Sequence, residues 1–346
     1  MYAEAVVDYA LTYHVEGERR QPSREIYEQI ARQVELADRL GFAHAWFGEH
    51  HAHAHLGHAP HPILFALHLA GRTKRIHLGA AVLTINLHHP VAMAEQIAMA
   101  DVLSSGRMSL GLGTGSSPAE LALYGVEMSE AERRVRFVEM LDLFEAAWRG
   151  EPLDVNGQSV RVKSAPLLPL PERDLREALW IGANSLGSAR LAGERGYGLQ
   201  LSNLRTVPQL RDLIAAYYEG RAASARQLGP ERIAASAPFY VADTDERALN
   251  EFTPALDGLM RENRRSLPEL GDGPRPTTPR EQVVALRFSV GSPARVRDEL
   301  LELRDKLGFT TLNLRPRWLG LTQQQVERSI ERFWLEVRPA LDAAWG

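Results

Sequence analysis

The sequence contains no cysteine. That absence excludes disulfides, thiolate zinc sites, iron–sulfur clusters and cysteine nucleophiles together. Lysine is scarce as well: of 40 basic residues only Lys74, Lys163 and Lys306 are lysine, a bias that reads as genome composition rather than function. No block of Lys or Arg stands out and the formal charge is −4, so nucleic acid is not an expected partner. There is no run of about 18 apolar residues, so no membrane span is expected. The N-terminal stretch lacks the basic and then apolar order of a secretory signal. A soluble, cytoplasmic protein is the expectation. With 346 residues, 45% of them hydrophobic, the chain can bury a large core without covalent staples.

What is present is a repeated junction. Leu40-Gly41-Phe42, Arg195-Gly196-Tyr197 and Leu307-Gly308-Phe309 each follow an amphipathic stretch and lead into an apolar run. A glycine that stops a helix and opens a strand marks an α-to-β connection. In the first unit Ser23 is positioned to cap, and Ile26, Ile30, Val34 and Ala37 recur on one helical face. Strand-like runs at 5–13, 43–47, 76–84, 108–113, 178–181, 199–201, 235–241 and 311–314 are each followed by a helical pattern or its start. About eight such units favour a single-domain (β/α)8 TIM barrel spanning 1–346 over a doubly wound sheet. Two excursions interrupt the count, near 151–175 and 264–283. The first carries Val155-Asn156-Gly157-Gln158, which predicts a hairpin with a type I′ turn. The second, with Pro268, Pro274, Pro276 and Pro279, predicts a mobile loop.

Three segments could carry chemistry. Glu49-His50-His51-Ala52-His53-Ala54-His55 follows the second strand, at the end where barrel active sites lie. All 12 histidines occur by His89, whereas a barrel metal site would also draw on later strands, so no metal is expected. The segment reads either as a solvated loop or as the source of one or two catalytic histidines, with His50 best placed. His44, inside the strand, reads as a satisfied core histidine. Gly111-Leu112-Gly113-Thr114-Gly115-Ser116-Ser117 is either a plain turn or a backbone that approaches a flat ring or phosphate. Gly182-Ala183-Asn184-Ser185-Leu186-Gly187-Ser188 joins a strand to a helix. Its N–H groups and the Ser185 and Ser188 hydroxyls suit a phosphate, or serve only as a cap. Gly291-Ser292-Pro293 reads as a cap, Gly106 as a helix stop, and Arg107 as an anchor. Trp318, after the last strand, is either core or pocket lining.

In their order, these motifs resemble the bacterial-luciferase-like, flavin-dependent monooxygenase family. The likeness is carried by Phe47-Gly48-Glu49-His50-His51, by Ile76 to Val82 with His89-Pro90-Val91 and Ala94-Glu95-Gln96, and by Asp101 to Ser104 with Gly106, Arg107, Gly111 and Gly115. Leu191-Ala192 through Gly196 and Val290-Gly291-Ser292-Pro293 complete it. The resemblance implies a (β/α)8 barrel that dimerises through the helices of its first units. It implies reduced FMN held non-covalently at the C-terminal rim, supplied by a separate NAD(P)H:flavin reductase. That flavin reacts with O2 to a peroxyflavin and oxygenates a small organic substrate. His50 matches the active-site histidine, with Glu49 and His51 expected to orient it. Ser185 and Ser188, beside Asn184, match hydroxyls that hold the flavin phosphate. Thr114 stands where an arginine for that phosphate can occur, so Arg133 or Arg136 would supply the charge. Gly113 replaces the luciferase's reactive cysteine. Ala80-Ala81 matches a segment with a non-proline cis peptide beside the flavin ring. His89 and Trp318 would line the substrate pocket. The alternatives are hydride transfer with the deazaflavin F420, which relatives on this fold use, and a flavin-binding protein without turnover.

Overall fold

The computed structural model describes residues 7–18, 20–53, 55–262 and 276–346. Its strands are β1 (Asp8–Tyr13), β2 (His44–Phe47), β3 (His77–Thr84), β4 (Met108–Gly113), β5 (Leu153–Asn156), β6 (Arg161–Ser164), β7 (Leu179–Gly182), β8 (Gly198–Leu201), β9 (Ile233–Val241), β10 (Ser289–Gly291) and β11 (Thr311–Arg315). Its helices are α1 (Ser23–Leu40), α2 (Pro62–Ala70), α3 (Pro90–Leu103), α4 (Pro118–Leu123), α5 (Glu130–Trp148), α6 (Leu186–Arg195), α7 (Val207–Ala223), α8 (Asp245–Glu262), α9 (Pro279–Ala285), α10 (Pro293–Leu307), α11 (Gln323–Arg332) and α12 (Arg338–Trp345). Strands β9-β11-β1-β2-β3-β4-β7-β8 lie side by side in that order, and β8 closes back onto β9. Every pairing in this ring is parallel. The result is the expected eight-stranded barrel with helices outside. Among the described residues no helix is long and apolar enough to cross a membrane.

Local sequence explains the repeat. Helix α1 buries Ile26, Ile30, Val34 and Ala37 and ends at Gly41 with φ +109°, its N–H bonded to Ala37 O. Gly196 and Gly308 end α6 and α10 in the same left-handed region, at φ +75° and +59°. A side chain at these positions would meet the steric penalty that glycine escapes. The cap of α1 differs from expectation. Pro22 occupies the N-cap position, while Ser23 Oγ lies 2.9 Å from His58 Nδ1 and ties the helix to the histidine-rich loop. Pro62 starts α2 directly after that loop.

The first excursion is a hairpin, β5 against β6, but not of type I′. The ladder closes at Asn156–Arg161 and leaves four residues, and Gly157 is not left-handed. The Glu139 carboxylate organises the loop instead, accepting the N–H groups of Gln158, Ser159 and Val160 at 2.7–2.9 Å. In the second excursion, residues 263–275 lie outside the described residues and α9 begins at Pro279.

Two layers of core follow from strand alternation. Outward-facing residues such as Leu11, Phe47, Leu78, Leu110 and Leu312 pack under the helices. Inward-facing Ala10, Trp46, Trp180 and Ala234 plug the barrel, with Trp46 Nε1 donating to Ser109 Oγ at 3.1 Å. His44 stacks on Trp46 with ring centroids 4.8 Å apart. Contrary to expectation it is not satisfied: its Nδ1 is buried without a partner among the described residues, and burial lowers its pKa to about 3. Arg107 is an anchor, donating to Ala70 O, Ser104 O and Thr73 Oγ1.

Candidate active site

Strands β1 and β2 end in register, Tyr13 opposite Phe47, so His14 and the segment from Gly48 to His51 emerge together at the C-terminal end of the barrel. The His14 and His50 rings stack, with His14 Nδ1 3.4 Å from His50 Nε2. On its other side His50 Nδ1 lies 3.2 Å from Glu120 Oε1, and the same oxygen accepts the His51 N–H at 2.9 Å. Burial holds His50 below the ordinary imidazole range against the pull of Glu120, with His53 and Arg315 adding to the depression. His14 is held well below it, by burial first and then by Arg315 and His50. Both rings are therefore neutral at physiological pH.

Glu120 was not legible as a partner. It sits on α4, whose cap Ser117 accepts the Glu120 N–H at 3.3 Å. Ser117 to Glu120 has the spacing of a capping box, which would turn the carboxylate back toward Ser117. The carboxylate instead reaches the histidine segment.

Glu49 and His51 do not orient His50 as expected. The Glu49 side chain is fully buried; Oε1 contacts His51 Nε2 at 3.0 Å and His88 Nε2 at 2.7 Å, and Oε2 accepts the Thr84 N–H at 2.5 Å. His51 Nδ1 meets Tyr124 Oη at 2.8 Å. This cluster clamps the loops after β2, β3 and β4. Among the described residues no side-chain hydrogen bond joins it to the His50 ring.

The non-proline cis peptide is present one position along from the expected pair, at Ala81–Val82. Ladder register shifts between Ala80 and Leu83 at the same place. The Val82 side chain lies between β4 and β7: a Cβ on Gly113 or on Gly182 would come within 2.7 Å of it. The absent side chain at Gly113 thus makes room for Val82. A Cβ on Gly48 would have His14 Nδ1 at 3.3 Å, His50 Cδ2 at 3.7 Å and Ala81 O at 3.8 Å. The histidine pair and the cis segment therefore share one end of the barrel.

Helix α6 begins at that same end, after β7. Ser185 and Ser188 form a reciprocal capping box, and their hydroxyls lie 3.0 Å apart. The box engages the Ser188 N–H. It leaves those of Leu186 and Gly187 without partners among the described residues, and nothing lies within 4 Å of a Cβ placed on Gly187. Asn184 is exposed, and its carbonyl accepts from Arg205 Nη2 at 3.1 Å. Arg205, in the loop after β8, places a guanidinium beside Asn184 at the start of α6. Arg133 donates to Met128 O, and Arg136 to His88 O and Ser159 O, so both arginines brace backbone carbonyls. Thr114 O accepts from Asn86 Nδ2 at 2.9 Å.

His89 and Trp318, expected to line the substrate pocket, sit in different surroundings. His89 is exposed at the start of α3. Trp318 is 5% exposed, packed with Phe252 and Phe288 in a second core cluster. The Arg315 guanidinium stacks 3.5 Å above its ring centroid and pairs with Glu16 at 3.0 Å. Trp318 is thus a platform for a cation at the barrel mouth.

A closed parallel barrel thus carries at its C-terminal end a paired-histidine site, the Ala81–Val82 segment and a helix N-terminus. Comparison with known proteins names the family. The chain belongs to the luciferase-like monooxygenase family, whose pattern matches residues 7–311. It is 25% identical over 349 residues to the oxygenase component of a flavin-dependent trigonelline monooxygenase of Acinetobacter baylyi, covering 96% of this chain and 95% of that protein. It is 34% identical over 176 residues to an F420-dependent glucose-6-phosphate dehydrogenase of Nocardia farcinica, covering 50% of this chain and 52% of the other. Its fold matches the oxygenating constituent of 3,6-diketocamphane monooxygenase of Pseudomonas putida, solved with FMN. There the TM-score is 0.80 at 21% identity, over 96% and 98% of the two chains. Family membership places the chain among the oxidoreductases.

Proposed function

We propose that this chain is the oxygenase component of a two-component system. It would take reduced FMN from a separate NAD(P)H:flavin reductase and use O2 to oxygenate a small organic substrate. The observation that carries the reading is the convergence, at one barrel end, of the His50–His14 pair, the Ala81–Val82 segment and the open start of α6. The residues fit the cofactor. The free N–H groups of Leu186 and Gly187, the Ser185 and Ser188 hydroxyls and Arg205 suit a phosphate. The segment from Ala80 to Val82 offers a backbone edge to a flat ring. When bound, the flavin supplies the activation of O2. The chain's own residues hold it, exclude water and manage a proton at His50, whose neutral ring suits that task.

The relative matched over 95% of its length, named a flavin-dependent oxygenase component, supports flavin-dependent oxygenation over F420-dependent hydride transfer. The F420-dependent relative matches only about half of the chain, and it sustains hydride transfer as the second reading. Dimerisation would use α2 and α3, whose Leu64, Met99 and Leu103 are more than half exposed. A location in the cytoplasm remains part of the same proposal.

The test is reconstitution with a flavin reductase, NAD(P)H, FMN and isotopically labelled O2 against a panel of small organic compounds. Label in a product supports the oxygenase. Turnover that needs F420 and incorporates no label would replace it with hydride transfer.

A further inference from the structure

We propose that Glu120, His50 and His14 form one proton relay, in which Glu120 sets the tautomer of His50 and His14 Nε2 is the free end. The use made of the proton rests on the oxygenase reading; the relay itself belongs to the chain without flavin.

The donor and acceptor capacity of each atom fixes the order. An ionised carboxylate only accepts hydrogen bonds, so the His50 nitrogen facing Glu120, Nδ1 at 3.2 Å, carries the proton. A neutral His50 then presents a lone pair on Nε2. The atom opposite that lone pair is His14 Nδ1, at 3.4 Å. Two lone pairs cannot share that gap, so His14 Nδ1 carries its proton and donates. The basic nitrogen left over is His14 Nε2, which has no hydrogen-bond partner among the described residues. The order of donors therefore runs one way, from His14 through His50 to Glu120.

The transfer balances. A proton arriving on His14 Nε2 releases the Nδ1 proton to His50 Nε2, and the His50 Nδ1 proton passes to Glu120 Oε1. One proton enters, both rings end neutral with their tautomers exchanged, and the carboxylate becomes a carboxylic acid. The Glu120 side chain is 15% exposed, so its proton has a route to water. The groups facing His50 are Glu120 from α4, His14 from the end of β1, His53 from its own loop with ring centroids 6.4 Å apart, and Arg315 from the end of β11. Those facing His14 are His50 and Arg315. Glu120 is the one negative charge in that set, so it alone favours a proton on the chain of rings.

Glu120 is on this view a positioning residue, and the readout must be one that packing alone would not move. The experiment is nitrogen-15 NMR of histidine-labelled protein without flavin, reading the tautomer and titration midpoint of His50. The expected result is the Nδ1–H tautomer for His50 in the unaltered chain, and a midpoint lower by about one pH unit in Glu120→Gln, which removes the stabilising charge. His14→Phe should leave the His50 tautomer in place, since Glu120 sets it. An Nε2–H tautomer in the unaltered chain, or an unchanged midpoint in Glu120→Gln, overturns the relay. The first of these observations needs no variant to fold. Because no flavin is present, a failed relay leaves the oxygenase reading standing, and a failure to bind reduced FMN leaves the relay standing.

Discussion

Glu49 and His50 are neighbours in sequence, yet they belong to two carboxylate–histidine clusters of opposite character. In the first, Glu49 is fully buried and engages His51, His88 and the Thr84 N–H. In the second, Glu120 and His50 are 15% and 29% exposed at the side chain, and the relay ends on a nitrogen without a partner among the described residues. Built around a fully buried carboxylate, the Glu49 cluster holds loops together. Open and unsaturated at one end, the Glu120 cluster can exchange a proton. Residue type does not separate the two; burial and the count of filled hydrogen-bond positions do.

Glu49→Ala should cost about 3–5 kcal/mol of unfolding free energy, because it strips two imidazoles and a backbone N–H of a buried charged acceptor. Chemical denaturation measures this, and a loss under about 1 kcal/mol would show that the cluster is not a clamp. His50→Ala should behave in the opposite way. Stability should change by less than about 1 kcal/mol, while turnover on an identified substrate falls about 10²–10⁴-fold, the range for a lost general base. A variant that unfolds, or one that keeps full turnover, would merge the two clusters into one structural unit.

Acid should sharpen the contrast further. His14 is held well below the ordinary imidazole range and His44 is lowered to about 3, both chiefly by burial. The unfolded chain takes up protons at these positions near pH 6.5, and the folded chain does not. Stability therefore falls as pH falls below about 6.5, by about 1.4 kcal/mol per pH unit for each such histidine until its folded pKa is reached. Thermal melts between pH 7 and pH 5 should show the decline, and His44→Phe, which keeps a ring on Trp46, should flatten it. Melts that do not move would contradict the burial of these rings. The remaining test is at α6. Ser185→Ala should lose about 1 kcal/mol of stability through the lost cap. With Ser188→Ala added, reduced-FMN affinity should fall by about 1.5–3 kcal/mol per lost phosphate contact. Unchanged affinity would move the phosphate away from α6.

The barrel was legible because its signals are local. Gly41, Gly196 and Gly308 stop helices through their own backbone, whatever surrounds them. The approximate place of the cis peptide came from a resemblance in sequence and fell one residue short, at Ala80–Ala81 rather than Ala81–Val82. The partners of the candidate site were illegible for a different reason. Glu120 lies 70 residues from His50, His14 lies 36 residues before it, and Arg205 lies 21 residues beyond Asn184. Only barrel closure brings them together, and no local pattern distinguishes them from surface charges. Trp318 shows the converse: a tryptophan after the last strand has the right address for a pocket, but the satellite core around Phe252 and Phe288 claims it.

The most direct measurement is an anaerobic titration of the purified protein with reduced FMN, with reduced F420 run in parallel. The oxygenase reading predicts saturable binding of reduced FMN that weakens in the Ser185→Ala, Ser188→Ala double variant. Preference for F420, or binding of neither flavin, would contradict it.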